Sequence, residues 1–112
     1  MRDSGLGVAD LVVGTGDEAT RGATVLVEYT GWLEDGRRFD SSLARAAPFG
    51  FTIGAHEVIP GWEEGVQGMR IGGTRLLRVP YKLGYGSAGN PPTIPRKATL
   101  LFEVRLLEVR AR

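Results

Sequence analysis

Glycine narrows the possible folds more than any other feature of this chain, at 17 of 112 residues. That is about twice the usual share of roughly 7%. Each glycine inside a helix costs about 1 kcal/mol relative to alanine, whereas tight turns use its freedom at positive φ. This argues against a mostly helical protein, and many tight turns between short strands are expected.

The hydrophobic pattern agrees. Leu11-Val12-Val13 running into Gly14-Thr15-Gly16-Asp17 reads as a strand and a turn. From Ala23 to Thr30, Val25, Val27 and Tyr29 share one face, against Leu26, Glu28 and Thr30. Asp35-Gly36 is a hairpin signal, with Arg38-Phe39-Asp40 starting the return strand. Pro48 to Ile53 is a further short strand, closed by Gly54. Strands follow at Thr74–Val79 and Ala98–Val109, separated by the loop Pro80–Lys97. In the last strand Leu100, Phe102, Val104 and Leu106 share a face, and Leu101, Leu107 and Val109 imply partial cover on the other.

One segment reads as a helix. Pro60 suits the first helical position, and Glu63-Glu64 suit the positive end of the helix dipole. Trp62, Val66 and Met69 recur at helical spacing, and Gly72-Gly73 ends the element. The sum is an α+β domain of about four to six mostly antiparallel strands curled over one short helix.

Composition excludes several functions. Fourteen basic against thirteen acidic residues leave a net charge of +1, which offers no polyanion-binding tail, so no nucleic-acid partner is expected. Without cysteine there is no disulfide, thiolate nucleophile or Cys-ligated metal. His56 is the only histidine, which rules out a multi-histidine metal site. There is no apolar run of about 18 residues and no apolar core near the start of the chain, so neither a membrane span nor a secretory signal is expected, and the location expected is cytoplasmic.

Two glycine patterns imitate a nucleotide loop. Gly84-Tyr85-Gly86-Ser87-Ala88-Gly89 is followed by Asn90-Pro91-Pro92, which breaks the helix a phosphate site needs. Gly14-Thr15-Gly16-Asp17-Glu18-Ala19 carries two carboxylates that would repel phosphate. His56-Glu57 lack a nucleophile on a recognisable elbow and read as a surface loop. Glu63 and Glu64, adjacent on a helix, do not face each other and read as surface charges.

What remains is aromatic. Tyr29, Phe39, Phe49, Phe51, Trp62, Tyr85 and Phe102 fall on different elements, and each alone reads as core. A polar set accompanies them: Asp40, Arg45 and the hydroxyls of Tyr29 and Tyr85. Together they have the composition of an apolar small-molecule or peptide pocket with a few convergent polar groups.

These residues, in order, resemble the FKBP-type peptidyl-prolyl cis–trans isomerases in their minimal single-domain form. The matching blocks are Val27-Glu28-Tyr29-Thr30-Gly31-Trp32-Leu33-Glu34-Asp35-Gly36, Phe39-Asp40-Ser41-Ser42 and Pro48-Phe49-Gly50-Phe51. Val58-Ile59-Pro60-Gly61-Trp62-Glu63-Glu64-Gly65-Val66, Leu83-Gly84-Tyr85-Gly86, and Ile94-Pro95 with Ala98-Thr99-Leu100-Leu101-Phe102-Glu103-Val104 complete the set. The likeness implies an isomerase domain over 8–112 after an N-terminal extension, 1–7. It also implies a bent antiparallel sheet wrapped around one short helix, with the pocket between them. Twelve arginines to two lysines fit the usage of a GC-rich, bacterial genome.

By the same resemblance, Trp62 forms the pocket floor, and Tyr29, Phe39, Phe49 and Phe102 its walls. Val58 and Ile59 lie on one edge, and Ile94 on the loop side. Asp40 sits at the polar end with Tyr29 and Arg45, and Tyr85 offers its hydroxyl at the rim. The implied catalytic residues are Asp40 and Tyr85, with no cofactor and no metal. The implied partners are proline-containing polypeptides and the macrolides rapamycin and tacrolimus, bound by a monomer. The alternative is a binding module that holds a proline segment, with turnover incidental.

Rotation about an X-Pro bond meets a barrier of about 18–20 kcal/mol, which is the loss of amide resonance. The planar ground state is more dipolar than the twisted transition state, so an apolar pocket disfavours the former. The sequence departs from the family at Asn90 and Thr93, where a histidine and an apolar residue are frequent, and at Arg96, which replaces a second proline. Thr93 removes apolar wall, Pro91-Pro92 should stiffen the loop, and no chaperone domain is inserted in the pocket flap.

Overall fold

A computed structural model describes residues 2–42 and 47–110. Six strands run in chain order as β1 (Gly7–Val12), β2 (Thr24–Leu33), β3 (Arg38–Ser41), β4 (Phe49–Thr52), β5 (Thr74–Val79) and β6 (Leu100–Arg110). One α-helix, α1 (Pro60–Val66), lies between β4 and β5, and a 3-10 turn spans Tyr81–Leu83. The strands lie in the order β1-β5-β6-β2-β3, with β4 also paired to β2, and every pairing is antiparallel. This is the α+β architecture expected from the sequence. Among the described residues no helix is long and apolar enough to cross a membrane.

Alternation builds the core face. Val25, Val27, Tyr29 and Leu33 of β2 are buried beside Leu100, Phe102, Val104 and Leu106 of β6, and Leu77 and Val79 of β5 complete the layer. The period breaks once. Pairing passes from Val27↔Leu106 to Leu26↔Glu108, so Leu107 is an extra residue in β6. A bulge of one residue reverses the facing of the strand beyond it. Val109, opposite Val25, therefore packs against the core instead of lying on the outer face that strict alternation assigns it.

The helix is shorter than its apolar stripe suggests. It ends at Val66, where Gln67 (φ −60, ψ 131) and Gly68 (φ +93) form a type II turn closed by Met69 N–H donating to Val66 O at 3.1 Å. Met69 is still buried, placed by the turn rather than by a further helical turn. Gly61 and Gly65 lie where α1 meets β5. A Cβ at Gly61 would stand 2.7 Å from Val79 Cγ1, and one at Gly65 2.7 Å from Leu77 Cδ2. Two helix-weakening residues thus let the helix backbone sit directly on the sheet. Arg75 ties the far end of the helix down, donating to Gly65 O at 3.0 Å, Gln67 O at 3.2 Å and Asp10 Oδ1 at 2.7 Å. A cation there meets the helix carbonyls that lack an internal partner.

Residues 1–7, read from the sequence as an extension, are held to the domain over their described part. Leu6 is fully buried, Gly7 opens β1, and Arg2 donates to Glu64 O at 3.1 Å. β1 therefore begins four residues before Leu11, through pairing with β5, and leaves Leu11, Val12 and Val13 exposed. Gly14 and Gly16 pass against the 70–73 segment, where a Cβ at Gly14 would clash with the Arg70 and Ile71 carbonyls. The strand β2 follows at Thr24 with no helix between. A close backbone crossing accounts for this glycine pattern.

Candidate active site

Between α1 and the core face of the sheet lies a cavity of about 470 Å³, within the usual range for ligand pockets. Its floor is Trp62, the third residue of α1 and 4% exposed. The neighbouring rings stand edge-on to the indole: Tyr29 at 4.8 Å and 83°, Phe102 at 5.3 Å and 85°, Phe49 at 5.9 Å and 78°. Edge-to-face contacts of this kind add about 0.5–1.5 kcal/mol each to simple burial. Among the described residues the buried indole N–H has no acceptor. That costs about 1–3 kcal/mol, less than the roughly 4–6 kcal/mol gained by burying an indole.

Each wall comes from a different element. Tyr29 and Phe102 extend from the paired strands β2 and β6, Phe39 from β3, and Phe49 from β4. Phe39 and Phe102 meet at 5.6 Å and 82° across Gly31 of β2. A Cβ on Gly31 would lie 2.7 Å from Phe39 and 2.9 Å from Phe102. Glycine in mid-strand is what lets both rings close over the backbone.

The polar end is fixed by hydrogen bonds. Tyr29 Oη donates to Asp40 Oδ2 at 2.5 Å, and Asp40 Oδ1 accepts Ser41 N–H at 2.8 Å. Ser42 is buried and its Oγ accepts Tyr29 N–H at 2.8 Å, which holds the end of β3 against β2. Tyr85 follows the 3-10 turn, is 40% exposed and lines the cavity with Asp40. Burial first, and the charge of Asp40 second, push its phenol above the ordinary value, so at neutral pH it is a protonated donor.

The remaining edge is the loop between β4 and α1. Val58 and Ile59 are half-buried there and line the cavity. His56 and Glu57, exposed on this loop as read from the sequence, also line it. The available signal was their place in the chain beside Val58. Glu63 is the residue undervalued: its Oε2 accepts Gly54 N–H at 2.5 Å and its Oε1 accepts His56 N–H at 3.0 Å. It straps this loop to α1, while Glu57 Oε1 accepts Thr52 N–H at 2.8 Å.

Nine of the eleven residues expected at the site thus line one cavity: Tyr29, Phe39, Asp40, Phe49, Val58, Ile59, Trp62, Tyr85 and Phe102. Ile94 is not among the lining residues. It is buried in the core, where the reciprocal bonds between Asn90 and Ile94, both 2.9 Å, close its loop. Arg45 lies outside the described residues.

The site is thus an aromatic cavity between one short helix and an antiparallel sheet, with a hydrogen-bonded Tyr–Asp pair at its polar end. Residues 16–107 match the family described as FKBP-type peptidyl-prolyl cis-trans isomerase, and the chain belongs to that family of enzymes. It is 51% identical over 105 residues to an FK506-binding protein of Neisseria meningitidis serogroup B, which covers 94% of this chain and 96% of that one. It is 48% identical over 95 residues to the peptidyl-prolyl cis-trans isomerase FKBP2 of Homo sapiens, covering 85% of this chain and 67% of that one. The crystal structure of AtFKBP13 matches at a TM-score of 0.89 and 41% identity, over 97% of this chain and 95% of that one. FkpA from Escherichia coli matches at 0.90 and 40%, over 98% of this chain but 50% of its own length.

Proposed function

We propose that the cavity accelerates rotation about X-Pro bonds of polypeptides without covalent chemistry. The observation that carries this reading is the composite cavity itself: four aromatic walls around Trp62, one polar end at Asp40 and Tyr29, and a protonated phenol at the rim. The proline ring rests on Trp62 and excludes water. In that apolar setting the planar, more dipolar amide loses more solvation than the twisted one, which lowers a barrier of about 18–20 kcal/mol. Tyr85 Oη donates to a substrate carbonyl and fixes one side of the rotating bond. Asp40 orients Tyr29 and shapes the local field.

The same cavity is the site at which rapamycin and tacrolimus compete with the peptide. Because Thr93 is exposed in the loop beyond Asn90, the rim offers macrolides less apolar contact there than an aliphatic residue would.

The roles of Tyr85 and Asp40 are tested by Tyr85→Phe and Asp40→Ala with a Leu-Pro test peptide. Each should lower kcat/KM by about tenfold, the effect of one hydrogen bond to a charged or developing group. Unchanged rates in both folded variants would overturn the assignment.

A further inference from the structure

A second groove of about 360 Å³ opens behind the loop that edges the cavity. His56 and Val58 line both, so the two depressions share one ridge. Beyond the ridge the groove is lined by Pro60, Gly54 and Arg21, over the buried Ile53, with Glu63 and Glu64 of α1 along its side. A bound polypeptide that places its proline on Trp62 has to leave the cavity, and an extended chain advances about 3.3–3.6 Å per residue. The ridge that the two depressions share is one exit open to its flanking residues.

The charges along this path differ in how far they are committed. Glu63 is bonded to the Gly54 and His56 amides, and Glu64 pairs with Arg2 at 3.5 Å. Arg21 lays its aliphatic stem against Gly54, where a Cβ would meet its Cγ at 3.1 Å. Among the described residues its guanidinium has neither an ion pair nor a hydrogen-bond partner. Glu63 and Glu64 keep their charges on the helix side of the groove, and the guanidinium of Arg21, which neither of them pairs, is a group there that a carboxylate brought by a ligand can meet.

We infer that this groove is an extended substrate subsite, in which the chain flanking the target proline lies on Val58, Gly54 and Pro60 and an acidic residue of that chain meets Arg21. The inference rests on the isomerase reading of the neighbouring cavity.

The test compares a Leu-Pro tetrapeptide with longer peptides that carry the same Leu-Pro between glutamate-rich or lysine-rich flanks. For the wild-type chain in low salt, the glutamate-flanked peptide should exceed the lysine-flanked one in kcat/KM by about twofold to fivefold, the range of an exposed ion pair. Sodium chloride at about 0.5 M should remove the difference. Arg21→Met keeps the apolar stem and should abolish the preference, while Arg21→Glu should reverse it, both with tetrapeptide rates unchanged. Equal rates for the two flanks, or a preference that survives both variants, would overturn the subsite. If the tetrapeptide itself is not accelerated, the isomerase reading fails instead. The groove is then read from the backbone amides of Gly54 and Gln67 during titration with the glutamate-flanked peptide. Shifts lost in Arg21→Glu would support it, and their absence from the wild type would overturn it.

Discussion

Tyr29 and Asp40 meet at 2.5 Å, across the pair of strands β2 and β3, while the ring of the same tyrosine stands edge-on to Trp62 at 4.8 Å. One side chain thus joins the apolar floor of the cavity to its polar end. The consequence is that the carboxylate of Asp40 cannot move without moving a wall.

Tyr29→Phe separates those two functions, since it keeps the ring and deletes the hydroxyl. It should cost about 1–2 kcal/mol of stability, because a partly buried carboxylate loses a donor. In a urea titration the midpoint should fall with the slope unchanged. The rate on a Leu-Pro peptide should fall as well.

Gly65→Ala should reverse the usual sign of a helix substitution. In an open helix the change gains about 1 kcal/mol. Here the new methyl would stand 2.7 Å from Leu77, and overpacking costs about 1–3 kcal/mol. A net loss in the urea midpoint is expected, and a gain would show that α1 is not seated directly on β5.

Gly31→Ala tests the site more than the fold. Its methyl would force Phe39 and Phe102 apart, again at about 1–3 kcal/mol. The expected result is a weaker affinity for rapamycin, measured by isothermal titration, beyond what the loss of stability explains at a temperature where the variant is fully folded.

Strand alternation made β2, β5 and most of β6 legible, because side chains two apart share a face whatever the tertiary context. It failed where the backbone left its period. Leu107 is inserted by a bulge that no side-chain preference announces, and the Gln67–Gly68 turn hides inside a spacing, Trp62–Val66–Met69, that also suits a longer helix. The site was legible only in part for a different reason. Trp62 and Phe102 are both 4% exposed, as core residues are, so only their convergence distinguishes a wall from a core. That convergence came from the family resemblance, not from composition. Glu63 was opaque because its partners are backbone amides, Gly54 and His56, which leave no mark in the sequence.

The pH dependence should follow Tyr85. Its folded phenol is held above the ordinary value, by burial first and the charge of Asp40 second. The folded state therefore binds that proton more tightly than the unfolded chain does. The resulting stability is fully present below the unfolded phenol value, about 10, and is lost as pH rises through the folded one. Catalysis should stay level from neutral pH to about pH 10 and fall only above it. Tyr85→Phe should start lower and show no such fall, which a pH series on the same peptide would check.

The most direct test of the central claim is the cis-to-trans rate of a Leu-Pro test peptide, with and without the protein, repeated with rapamycin present. Acceleration that the drug abolishes is expected, because both ligands need the cavity over Trp62. No acceleration by a demonstrably folded protein would contradict it, and would leave the cavity as a site that binds proline segments without turning them over.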